Sequence, residues 1–208
     1  ELLRLGLALD DYWAGIGILI AGACITIFAL ATAQRLSCKQ LEFRDPKLTR
    51  KYRLVQISDV HIGSRSVGFL RYVVETINTQ NPDLIVITGD FLDAKRVQAE
   101  DIAPLKNLKA PVYFSIGNHE RYAGLDWVIP LLEDVGVVVL RSQTVKVGEL
   151  QLIGIDDAED KNQVRRELAK IELDPECFKI LLYHRPLGWE SALASGINLM
   201  LSGHTHNG

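Results

Sequence analysis

Five histidines occur in 208 residues, and every one stands at the end of a short apolar run. The groups are Asp59-Val60-His61, Gly117-Asn118-His119-Glu120, Tyr183-His184 and Gly203-His204-Thr205-His206, and a further apolar run ends in Gly89-Asp90. Neutral imidazole and carboxylate oxygen suit Zn, Fe and Mn ions, and the absence of a ligand Cys argues against a thiolate-rich centre. A lone histidine after a strand is more often a satisfied structural residue. Five of them in one kind of setting point to metal binding instead. On extended chain, residues two apart face one side, so Asp59 with His61, and His204 with His206, are expected to look into one pocket. A carboxylate such as Asp90 has two oxygens and can bridge two ions. Two ions roughly 3.5–4 Å apart clamp the attacking and leaving oxygens of phosphoryl transfer and lower the pKa of a water between them. The glycines before Asp90, Asn118 and His204 leave room where backbone must turn close to the ions.

These residues need elements to carry them. Apolar runs over 53–58, 83–90, 110–118, 178–184 and 198–204 predict buried strands, and 137–141, 144–147 and 150–156 predict a further group with a turn at Gly148-Glu149. Helices are expected over 67–80, with Phe69, Leu70, Val73, Val74 and Ile77 on one face, and over 98–108, 125–136, 162–170 and 188–195. Pro130 should kink the third of these or delay its start. Continuous apolar strands alternating with helices predict a layered α/β domain whose sheets are covered on both faces. Sites in such sheets assemble at the carboxyl ends of the strands, where each of the polar groups above lies.

With DVHIG, GDFLD, GNHE, the YH of YHRP, and GHTHNG standing in this order, the chain from about Lys51 to Gly208 resembles the calcineurin-like metallophosphoesterase superfamily. QISDVHIG, ITGDFLDA and a leading apolar helix are most similar to its membrane-associated bacterial branch. The protein phosphatase branch carries an arginine-containing extension where this chain reads FLDA. The resemblance implies a four-layer α/β/β/α sandwich of two mixed sheets flanked by helices. It implies two divalent or trivalent metal ions, Mn, Fe or Zn. Asp59, His61 and His206 would bind the first ion, Asn118, His184 and His204 the second, and Asp90 would bridge them. His119 would steady the transition-state oxygens and protonate the leaving group, a role that protonated imidazole fills well. Asp93 either orients a ligand histidine or stands as a solvated loop aspartate. Arg185 and Arg65 are candidates for phosphate contact or ordinary surface arginines, and the substrate-binding residues are otherwise unknown. Asn207 replaces a glycine of the family's final block, and Asn tolerates left-handed backbone better than most residues.

Ahead of this domain, residues 12–34 carry no charged side chain. The run from Trp13 to Ala33 spans about 30 Å as a helix, the thickness of a bilayer's hydrocarbon core. The expected organisation is a membrane segment over 1–34 with its helix at about 13–33, a basic juxtamembrane linker over 35–51, and the catalytic domain over 52–208. A buried core helix and a cleaved signal peptide are the rivals; the first usually carries a polar stripe, and the second has a shorter apolar run behind a basic flank. Arg35, Lys39, Arg44, Lys47, Arg50 and Lys51 follow the segment, against Glu42 and Asp45. The positive-inside rule then puts the catalytic domain on the cytoplasmic side. The same basic stretch can lie against anionic headgroups or serve as a solvated linker. The chain has no initiator methionine and stops just after its last motif, so the domain is expected to be incomplete at its C-terminus.

Composition sets the remaining bounds. At 48% hydrophobic and 24% charged, the chain is neither wholly disordered nor, with net charge −3, a strongly basic nucleic-acid binder. Three scattered cysteines, Cys24, Cys38 and Cys177, give no disulfide framework. The expected activity is hydrolysis of a phosphodiester or pyrophosphate bond at a membrane, with membrane lipid as partner, a lipid-linked ester among the candidate substrates, and no nucleic acid. The alternatives are a phosphomonoesterase or protein phosphatase, a catalytically silent metal-binding scaffold, and a transport or assembly subunit. Oligomeric state is not legible.

Overall fold

The computed structural model describes residues 11–33, 35–93 and 97–206. The chain divides into two compact units, Glu1–Leu41 and Glu42–Gly208. In the first, helix α1 runs Asp11–Ala33. Its Tyr12–Ala29 stretch has mean hydropathy 1.9 and none of it is buried, so by length and composition it can cross a membrane.

The second unit holds two four-stranded sheets. β1 (Leu54–Ile57), β2 (Leu84–Thr88), β3 (Val112–Ser115) and β4 (Val137–Val139) pair in that order and are parallel throughout. The second sheet orders β5 (Gln143–Val147), β6 (Leu150–Ile155), β7 (Phe178–Tyr183) and β8 (Leu199–Leu201), with only β5 antiparallel. The two sheets meet through Leu84, Val86 and Tyr113 on one side and Leu152, Ile180 and Leu182 on the other. Every residue of β2, β6 and β7 is buried, including Gln151 and Lys179, which interrupt the apolar runs of β6 and β7 and donate to the Glu172 and Asp174 carbonyls. Alternation turns Ile153, Ile155, Leu181 and Tyr183 to the outer face of the second sheet. There they pack with Val164 and Leu168 of α6 (Gln163–Leu168) and Ala192 of α7 (Trp189–Ala194).

Helix α2 (Val67–Thr79) buries Leu70, Val73, Val74 and Ile77, and Ser66 caps it by accepting the Phe69 N–H at 3.2 Å. The helix expected over 98–108 is split. α3 covers Ala99–Ile102, and a 3₁₀ turn covers Ala103–Asn107, because Pro104 cannot donate into a continuous α-helical ladder. α5 (Leu125–Asp134) contains Pro130. The short helix α4 (Asn118–Ala123) has no counterpart in the apolar periodicity, which reads 110–118 as strand.

The basic stretch is tied down from Asp45 onward. Asn198 donates to Asp45 Oδ2 at 3.3 Å, Lys47 Nζ donates to the Pro175 carbonyl at 2.6 Å, and Thr49 N–H donates to Glu149 at 3.0 Å. Leu48 and Tyr52 close the inter-sheet core beside Leu54.

Candidate metal centre

The strand ends carry an unusual backbone. Asp59, His61, Asp90, His204 and His206 all have positive φ, between 52° and 73°. Among the described residues only Asn81 and Ser142 share this conformation without being glycine. Left-handed backbone on residues of this size costs about 1–3 kcal/mol each and clusters at functional sites. It also changes the account of the paired spacings. Asp59 with His61, and His204 with His206, share a side because each pair lies past its strand and alternates into left-handed turns. They are not on extended chain.

Two clusters result. In the first, His206 Nε2 lies 3.6 Å from Asp59 Oδ1 and 3.4 Å from His61 Nε2. In the second, His184 Nε2 lies 3.0 Å from Asp90 Oδ2, 3.1 Å from Asn118 Oδ1 and 3.2 Å from His204 Nδ1. Two ligands about 2.0–2.1 Å from one ion, at a tetrahedral angle, stand about 3.3 Å apart. The observed separations therefore have the size of coordination-shell edges, and the nitrogen and oxygen donors fit a metal ion in each cluster. The clusters touch, since His204 N–H donates to both Asp59 oxygens at 3.1 Å.

Neighbouring groups fix which nitrogen each ring offers. The Thr88 carbonyl can only accept, so His184 carries its proton on Nδ1, 2.8 Å away, and turns the Nε2 lone pair toward Asp90 and Asn118. The Asp93 carboxylate does the same for His61 Nδ1. Asp93 Oδ1 also lies 2.9 Å from His119 Nδ1, so Asp93 faces two imidazoles and is not a solvated loop aspartate. His119 Nε2 stands 3.9 Å from Asp90 Oδ2, and its side chain is 37% exposed.

Electrostatics follow from this packing. Burial pushes the Asp90 carboxyl up, but His184 and the His119 N–H outweigh it and hold the group below the usual carboxylate range. Burial pushes His184 down, while Asp90 and the Thr88 carbonyl outweigh it and leave the imidazole above its ordinary value. Burial also pushes Asp93 up; Ser64 and His61 reverse it, so Asp93 stays ionised at lower pH than usual.

Glu120 was not singled out by sequence. It is wholly buried, and its two oxygens accept the N–H groups of Asp90 (2.9 Å), Phe91 (2.8 Å), Leu92 (3.0 Å) and Gly117 (2.9 Å). It thereby locks the GD turn to the start of α4. Burial raises its pKa, against these donors. The signal was present in GNHE: an acidic residue three positions after Gly117 is a helix-start pattern. Around the clusters, Gly89, Gly117 and Gly203 have no room for a side chain. A Cβ on Gly117 would stand 2.3 Å from Asp90 Oδ1 and 2.5 Å from its backbone nitrogen, and one on Gly203 would stand 1.8 Å from Ser58 Oγ.

The arginine candidates divide. Arg185 is engaged by Asp157 through Nε–Oδ1 at 2.6 Å and Nη2–Oδ2 at 3.3 Å, so its fork is committed to a buried carboxylate. Arg65 lies over the Phe69 ring at 4.5 Å. Asn207 lies outside the described residues. A cavity of about 580 Å³ opens beside the first cluster, lined by Gln56, Ser58, Asp59, Gly203, Thr205 and His206.

The family model for calcineurin-like phosphoesterase matches residues 52–208. An uncharacterised metallophosphoesterase of Campylobacter jejuni is 31% identical over 182 residues, covering 82% of this chain and 48% of its own length. A zebrafish (Danio rerio) transmembrane protein with a metallophosphoesterase domain is 34% identical over 184 residues, covering 78% of this chain and 42% of its own. The chain thus spans about half the length of the curated relatives it matches. Among solved structures, a phosphopantetheinyl hydrolase of Mycobacterium tuberculosis aligns over 74% of this chain and 83% of its own at 16% identity, with a TM-score of 0.49. With three quarters of its length matched by one family model, and relatives above 30% identity, the chain belongs to the calcineurin-like phosphoesterase family.

Proposed function

We propose that the chain is a membrane-anchored phosphoesterase that uses two metal ions to hydrolyse a phosphodiester or pyrophosphate bond. Asp59, His61 and His206 hold one ion, Asn118, His184 and His204 hold the other, and Asp90 spans both. The donors are nitrogen and oxygen only, a set that suits Mn, Fe or Zn. Bound ions supply charge for the attacking and leaving oxygens of phosphoryl transfer and a water acidic enough to react near neutral pH.

The observation that carries this reading is His119. Its ring touches Asp93 through Nδ1, while Nε2 stays at the edge of the site, 3.9 Å from Asp90. A carboxylate behind an imidazole stabilises the protonated ring. His119 can then hold a proton at Nε2 and release it to the departing ester oxygen. Asp93 keeps the ring from turning. Asp90 takes the His119 N–H on Oδ1 at 2.9 Å, which fixes that carboxylate while Oδ2 faces His184. A scaffold that only binds metal has no use for a proton donor mounted in this way.

Relatives described as transmembrane proteins, together with α1, support membrane anchoring. The excess of basic residues after α1 supports a cytoplasmic catalytic unit.

The test is turnover of bis-p-nitrophenyl phosphate, p-nitrophenyl phosphate and a nucleoside diphosphate by metal-loaded protein. Hydrolysis of the diester or the pyrophosphate in preference to the monoester is expected. Two bound ions with no turnover of any of the three would contradict the reading. Protection of the catalytic unit from external protease in sealed, right-side-out cells tests the membrane side.

A further inference from the structure

A chain of four rings crosses the site. His206 and His61 are stacked with centroids 5.2 Å apart, His61 and His119 meet edge to face at 4.7 Å, and His119 and Tyr122 are tilted by 57° at 6.0 Å. The first three are the metal-competent pair and the proposed proton donor. Tyr122 belongs to neither, yet the same short helix places it. It follows His119 by three positions in α4, so the two side chains are neighbours on the helix surface. That helix is held from two sides. Glu120 ties its start to the GD turn, and Arg121 donates to the Asp157 carbonyl.

The surroundings of His119 divide by chemistry. Nδ1 faces Asp93, the ring meets His61, and Nε2 stands 3.9 Å from Asp90. Each of these neighbours is a carboxylate or a metal-competent imidazole. Tyr122 is the hydrocarbon ring beside His119, and it is 68% exposed. A single exposed tyrosine elsewhere on the surface needs no explanation. This one borders the group that gives its proton to the departing oxygen. An oxygen taking that proton sits about 2.8 Å from Nε2. A ring carried on that oxygen, directly or through a short link, then comes within the span of about 4.5–7 Å over which aromatic pairs attract. The other end of the four rings is different. Beside His206, the cavity is lined by Gln56, Ser58, Asp59 and Thr205, polar walls that suit a hydroxylated or charged group.

We propose that Tyr122 receives the leaving group, and that the site takes a phosphate ester whose departing side carries a planar aromatic or heteroaromatic ring while its retained side lies in the polar cavity. This rests on the reading of the site as a phosphoesterase with His119 as proton donor, and it names the substrate class of that site.

The test compares the metal-loaded full chain with its Tyr122→Ala and Tyr122→Phe variants. Bis-p-nitrophenyl phosphate is the substrate, and phenylphosphonate and ethylphosphonate are the competitive inhibitors. In Tyr122→Ala, KM for the diester is expected to rise about 3–10-fold with kcat within about twofold, the pattern of an aromatic contact made equally in the ground and transition states. The inhibition constant of phenylphosphonate should rise by the same factor, and that of ethylphosphonate should stay within about twofold. Tyr122→Phe keeps the ring and should match the wild type. Unchanged constants, equal weakening of both phosphonates, or a fall in kcat at constant KM overturns the assignment of Tyr122. Tyr122→Phe behaving like Tyr122→Ala overturns it as well, since the contact would then be the hydroxyl and not the ring. Wild-type protein that holds two ions and turns over no ester overturns the proposal through the phosphoesterase reading.

Discussion

Asp93 Oδ1 lies 2.9 Å from Nδ1 of His119, and the same oxygen contacts Nδ1 of His61. One carboxylate therefore sets the direction of two imidazoles with different proposed jobs, one holding metal and one moving a proton. Replacing Asp93 by Asn keeps the size and one acceptor oxygen but removes the negative charge that faces both rings. Turnover of an activated diester is expected to fall about 10–100-fold, the usual cost of losing a partner behind a ligand histidine. Unchanged turnover would return Asp93 to a merely structural role.

His119 and Asp90 should separate under mutation. His119→Ala is expected to keep metal content and lose about 10²-fold or more in turnover, as for a missing general acid. Asp90→Asn is expected to lose metal and activity together, because a neutral amide bridges two cations poorly. Metal analysis by inductively coupled plasma mass spectrometry distinguishes the two, and metal loss in His119→Ala would contradict its assignment.

Glu120 predicts a stability effect. Removing its carboxylate leaves four buried N–H groups without acceptors, at roughly 1–3 kcal/mol for each unsatisfied group. Glu120→Ala should therefore lower unfolding stability by about 3 kcal/mol or more in urea titrations of the metal-free protein. A change under about 1 kcal/mol would show that water replaces the carboxylate.

Gly117→Ala tests the close approach of α4 to the GD turn. The added carbon meets a backbone nitrogen as well as Asp90 Oδ1, so no side-chain rotation relieves it. Metal affinity should drop at least about tenfold, with the fold retained by circular dichroism. Gly136→Ala serves as the control, since nothing lies within 4 Å of its Cβ position, although its φ of 85° carries a local backbone cost.

Much of this was legible in the sequence, for identifiable reasons. Leu70, Val73, Val74 and Ile77 recur at helical spacing, and α2 lies where they put it. The mostly apolar runs of β2, β6 and β7 mark buried strands with polar residues at their ends. The left-handed turns were not legible, because the modest enrichment of Asp and His in that conformation does not single out a position; they are held by bonds such as Asp59 N–H to the Gly89 carbonyl and His61 N–H to the Asp90 carbonyl. The double duty of Asp93 depends on His61 and His119, 32 and 26 positions away, meeting at one oxygen, which no local pattern encodes. Arg185 stayed open between phosphate contact and an ordinary surface arginine because no local pattern pairs it with Asp157, 28 positions away.

The most direct measurement is an anomalous difference map from crystals grown with manganese, recorded above and below the metal's absorption edge. The account predicts two peaks roughly 3.5–4 Å apart, one bounded by Asp59, His61 and His206, the other by Asn118, His184 and His204, with Asp90 reaching both. A single peak, or peaks away from these side chains in a protein that still hydrolyses diesters, would contradict it.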